Sequence, residues 1–80
     1  MARFRVMLTY PDRQIREPLL GMMTKQFDVM PNIRRAKVSE DVGEIVVELD
    51  GPESELKAGI AFLQEHGVEV VPIEGDVVSP

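Results

Sequence analysis

Residues 44–73 read EIVVELDGPESELKAGIAFLQEHGVEVVPI, and this stretch decides the fold. Ile45, Val47 and Leu49 alternate with Glu44, Val46, Glu48 and Asp50, the period-two pattern of a half-buried strand. Gly51-Pro52 ends the strand and opens a helix whose first turn carries Glu53 and Glu55, the charges favoured at a positive helix end. Leu56, Ile60 and Leu63 then recur at helical spacing and predict a buried stripe, with Gly59 and Phe62 flanking it. His66 falls in the last turn, where a histidine caps carbonyls or faces water. Gly67 suits a left-handed helix stop, and Val68 to Ile73 predict a final strand.

The same unit lies upstream. Phe4, Val6, Leu8 and Tyr10 alternate with Arg3, Arg5, Met7 and Thr9, a strand closed by Pro11-Asp12. Glu17-Pro18 opens a helix carrying Leu19, Leu20, Met22, Met23 and Phe27. Gly21 weakens that helix by about 1 kcal/mol relative to Ala, which leads us to expect a close packing contact there. DVMPNIRRAKV, residues 28–38, is extended, and Pro31 makes it an edge strand or puts a bulge at its start. Asp41-Val42-Gly43 turns the chain back. Strand, helix, strand, strand, helix, strand with right-handed crossovers is a split βαβ pair. The expected fold is therefore α+β and ferredoxin-like: a four-stranded antiparallel sheet with two helices on one face and the first and third strands central. Residues 1–75 form one domain in this reading, and residues 76–80 a frayed tail.

Charge is unevenly spread. Residues 1–37 hold eight cations and three acids, a net of +5, whereas residues 38–80 hold Lys57 and eleven acids, a net of -10. Interleaved strands bring these charges together: Arg3 and Arg5 share the open sheet face with Glu44, Glu48 and Asp50, with Arg35 and Lys37 alongside. That face is a solvated salt-bridged surface or a ligand or partner surface. With 80 residues there is room for a thin core only, and the absence of cysteine excludes disulfides, iron–sulfur ligation and thiol nucleophiles. No apolar run approaches a membrane span and MARFRVMLTY is no secretory signal, so a cytoplasmic location without membrane insertion is expected.

Catalytic equipment is sparse. His66 is the only histidine, Ser39, Ser54 and Ser79 lack a strained nucleophile turn, and no Gly-rich phosphate loop occurs. The acids alternate along strands or sit in a helix first turn, and no loop has the dense Asp spacing of a calcium site. We expect no enzyme, no cofactor and no metal. Nucleic acid is disfavoured as well, because Phe4 and Tyr10 fall on the buried side and the pI is near 4.7.

The strand RVMLTY, the helix opening EPLL, FDVMPNI, EIVVELDG and LKAGIAFLQEHGVEVVPI, in this order, resemble a NIL domain, named for an Asn-Ile-Leu motif on its second strand. The likeness spans nearly the whole chain. NIL domains occur at the C-terminus of methionine ABC transporter ATPase subunits, where they bind methionine and inhibit transport, and in ferredoxin fusions linked to sulfur-amino-acid metabolism. Their fold is similar to the ACT amino-acid sensors. The resemblance implies that Asn32 contributes to a ligand site, as an amide can both donate and accept; Asn32 also fits turn or strand-start chemistry after Pro31. Arg34 stands where the motif has Leu, which implies an altered pocket, an anion partner or an exposed edge.

The reading is a free-standing regulatory domain that binds methionine or a related sulfur amino acid, with that ligand, a second copy and a transporter or sulfur-metabolism protein as its expected partners. Met22, Met23, Met30 and Ile33 would line the thioether and Asn32 would hold the polar end. Arg34, Arg35 and Lys37 form a partner or anion edge. The alternative is a ligand-free protein–protein adaptor. Without a phosphate-binding loop or cysteines, the stretch is expected neither to hydrolyse ATP nor to transfer electrons.

Overall fold

Period-two patterning becomes a four-stranded antiparallel sheet in the computed structural model, which describes residues 1–10, 19–38 and 43–73. The elements are β1 (Ala2–Tyr10), α1 (Leu19–Gln26), β2 (Met30–Val38), β3 (Gly43–Gly51), α2 (Glu53–Glu65) and β4 (Glu69–Pro72). Sheet order is β2-β3-β1-β4, so the most regularly alternating strands are central and the two proline-bearing strands are edges. This is the ferredoxin-like α+β arrangement. Pro11-Asp12, Glu17-Pro18, Asp41-Val42 and the 76–80 tail lie outside the described residues.

Register sorts the side chains. Phe4 lies opposite Leu49, Val6 opposite Val47 and Leu8 opposite Ile45, all on the face that the helices cover. Leu8, Leu19, Met23, Val47, Leu49, Leu56 and Leu63 are fully buried there. Burying each contributes about 1.5–3 kcal/mol, so this cluster fixes which face the sheet turns to the helices. Phe27 meets Phe62 edge to face at 5.9 Å and closes one end of the core.

Of the two helix glycines, Gly59 and not Gly21 makes the close contact. Leu19 and Met23 are the buried pair of α1, four residues apart, which turns Gly21 to the exposed side. Gly59 is buried in α2, and a Cβ there would meet Met23 Sδ at 3.0 Å. The buried residues of α2 are accordingly Leu56, Gly59, Phe62 and Leu63, while Ile60, expected in the stripe, is half-buried. Gly67 takes the left-handed conformation (φ 88°), and the Val68 N–H donates to the Leu63 carbonyl. His66 Nδ1 lies 2.8 Å from the Phe62 carbonyl, the helix-end role anticipated for it. The last strand is shorter than expected at four residues, although the Ile73 N–H still donates to the Arg5 carbonyl.

Candidate functional site

The face of the sheet without helices carries the charges. Arg3 lies opposite Asp50 and Arg5 opposite Glu48, and both pairs close as ion pairs at 2.7 Å. Between them and the far edge runs an apolar row in which Met7 has Val46 on one side and Val71 on the other. No aromatic residue belongs to this face among the described residues, since Phe4 and Tyr10 pack against the core.

β2 supplies the basic flank through an irregularity. Asn32 pairs with Glu48 and Ile33 with Val47, but the next residue of β3, Val46, pairs with Arg35. Arg34 is the extra residue of a β-bulge. Strict alternation would send Arg35 and Lys37 to the helix side. The bulge instead puts Arg35 beside Val46 and Lys37 beside Glu44, on the open face. The sequence placed both on this face beside the acids; Lys37 does lie opposite Glu44, whereas Arg35 lies opposite Val46. It located any bulge at Pro31, three residues too early.

Glu48 sits at the centre of this basic group and is itself buried. Its Oε2 accepts from Arg5 Nη2 at 2.7 Å and from Arg5 Nε at 3.2 Å, while Arg34 Nε approaches Oε1 at 3.9 Å. The Arg5 hydrogen bonds hold the carboxyl below its ordinary pKa, opposed by burial and aided by the charges of Arg5, Arg34 and Arg3. A lowered folded-state pKa stabilises above the unfolded value and ceases to do so as pH falls through the folded one. Glu48→Gln is therefore expected to lower stability at neutral pH and to flatten the acid-side loss that begins below about pH 4.5. Urea unfolding of both proteins as a function of pH checks this; parallel pH profiles would contradict it.

Above these residues lies an open cleft of about 450 Å³, lined by Arg5, Arg34, Arg35, Val46 and Ile73. A smaller apolar groove of about 200 Å³ lies on the helix side, between Ile60 and Gln64 of α2 and Phe4, Val6, Val70 and Pro72 of the sheet.

The residues anticipated from sequence do not converge on one pocket. Met30, opposite Asp50, and Asn32, opposite Glu48, share the open face, and both are exposed. Ile33 pairs with Val47 and so points to the helix side, yet it is 53% exposed because β2 is the outer strand. Met22 is half-buried against the core, and Met23 is inside it. Arg34 and Arg35 do share a cleft, whereas Lys37 is not among its lining residues. Sequence reasoning missed Val46 and Ile73 as cleft walls and Arg5 as its third cation. The one signal for the cleft is the Arg34-Arg35 doublet in a strand that lacks alternation.

Fold and open face together define a ferredoxin-like βαββαβ domain with an exposed, basic edge strand. The chain belongs to the NIL domain family, which matches residues 5–71. It is 32% identical over 69 residues to a methionine import ATP-binding protein, MetN 1, of Bacillus cereus, covering 81% of this chain and 20% of that protein. The corresponding Listeria innocua protein is 36% identical over 62 residues, covering 72% of this chain and 18% of its own length. The chain thus spans about a fifth of the length of the curated relatives it matches. Among solved structures it resembles the C-terminal domain of an ABC transporter ATP-binding protein from Enterococcus faecalis, with a TM-score of 0.79 and 21% identity. That likeness covers 91% of this chain and 86% of the other. Among the described residues no helix is long and apolar enough to cross a membrane.

Proposed function

We propose that this NIL domain is a non-catalytic cytoplasmic regulatory module that binds methionine or a related sulfur amino acid. One observation carries the reading: the relatives sharing this domain are methionine import ATP-binding proteins. The ligand would lie along the first half of β2. Asn32 is exposed there, with an amide able to donate to a carboxylate and accept from an ammonium. Met30, Ile33 and half-buried Met22 offer soft apolar contacts for a thioether.

Among the described residues no strand pairs with the outer side of β2, which suits a homodimer or docking on a transporter subunit or a sulfur-metabolism protein. Arg34, Arg35 and Lys37 would repel across a symmetric β2–β2 contact, so a dimer requires staggered strands or an intervening anion. The exposed Ile33 on that edge favours, as a second reading, a ligand-free adaptor that adds a strand from its partner.

Calorimetric titration with methionine separates the two. The sensor reading predicts saturable heat with the parent chain and none with Asn32→Ala, whose stability stays within about 0.5 kcal/mol because the site is on the surface. Equal heats for both proteins would remove Asn32 from the site. No heat with either would favour the adaptor.

A further inference from the structure

The cleft on the open face is electrostatically incomplete. Arg5, Arg34 and Arg35 line it, and Glu48 is the only carboxylate within ion-pair distance of any of them among the described residues. Arg5 occupies one Glu48 oxygen through its Nε and Nη2, and the second oxygen is 3.9 Å from Arg34 Nε. Among the described residues, three cations against one anion leave a surplus of two positive charges. This crowding depends on the bulge, since without it Arg35 would face the opposite side of the sheet. Two guanidinium groups on adjacent residues offer planar donor forks, the geometry that grips carboxylate and phosphate oxygens in pairs. Val46 and Ile73 supply an apolar wall, and the volume of about 450 Å³ is that of a small-molecule site.

We propose that this cleft binds a small dianion, a phosphate monoester or a dicarboxylate, whose oxygens bridge Arg34 and Arg35 while its short apolar part rests on Val46 and Ile73. Arg5 stays paired with Glu48 and forms the fixed third side. The proposal does not rest on the methionine reading, although Asn32 lies opposite Glu48 on the same face.

Titration of the isotope-labelled chain with glycerol phosphate, inorganic phosphate and succinate, followed through backbone amide and arginine side-chain N–H signals, tests it. At least one dianion is expected to give saturable shifts at Arg34, Arg35, Val46 and Ile73, weakening as salt is added. Glycerol phosphate and phosphate acting without succinate identify a phosphoryl ligand, and the reverse identifies a dicarboxylate. Arg35→Gln and Arg34→Gln should each weaken binding about tenfold, with Arg35→Lys keeping more of it than Arg35→Gln. Both arginines are exposed, so folding should survive, and thermal melts verify that. Flat signals at millimolar dianion, or affinities unchanged in the glutamine variants, overturn the proposal.

Discussion

Gly51→Ala is expected to destabilise the domain by about 3 kcal/mol, the cost of forcing one carbon into a closed space. Gly51 ends β3 where the connection from α1 to β2 passes over it. A Cβ there would run into the Asp28 carbonyl at a separation real Cβ atoms do not show, with Asp28 C and Val29 Cα both at 3.5 Å. Neither neighbour yields easily. Both are backbone, Val29 is buried, and the Asp28 N–H donates to Glu55 Oε1 at 2.9 Å in the first turn of α2. A domain of this size is held by roughly 4–12 kcal/mol, so the loss is a large share of its stability. The melting temperature should fall by about 15 °C, and a calorimetric scan of the variant measures it. A shift of only a few degrees would mean that the Asp28 segment can move aside.

Met23→Ala should cost about 3 kcal/mol through the cavity it leaves, whereas Met23→Leu, which keeps the volume, should cost less than about 1.5 kcal/mol. Met23 is fully buried and fills the gap that Gly59 opens between the helices. A flexible thioether adapts to that irregular space. If Met23 lined the ligand pocket instead, the Ala variant would lose methionine affinity with little loss of stability. Denaturant unfolding combined with ligand titration of the same sample distinguishes the two. A stable variant with weakened binding would return Met23 to the site.

The two central strands were legible because each has one buried and one open face, so apolar and charged residues alternate in Phe4/Val6/Leu8 and in Ile45/Val47/Leu49. The ion pairs followed from the same register. β2 was not legible in this way. As an outer strand it is exposed on both sides over Asn32 to Lys37, so no apolar period marks where its register slips. The bulge at Arg34, and with it the cleft, depends on that slip. The methionines were ambiguous for another reason: Met22 and Met23 are adjacent in a helix, and helical spacing alone does not say which of two neighbours turns inward. The glycine of close contact was assigned to the wrong helix because Gly21 and Gly59 interrupt similar apolar patterns, and only the packing of Met23 tells them apart.

Domain membership of this chain rests on its sequence and fold, and its proposed role rests on ligand binding along β2. The most direct measurement is a residue-resolved amide chemical-shift map of the labelled chain titrated with methionine, with homocysteine beside it and leucine as control. Saturable shifts for methionine centred on Met30 to Ile33 and on α1, with leucine weaker, are the expected result. Flat spectra at millimolar methionine, or shifts confined to residues far from β2, would contradict it.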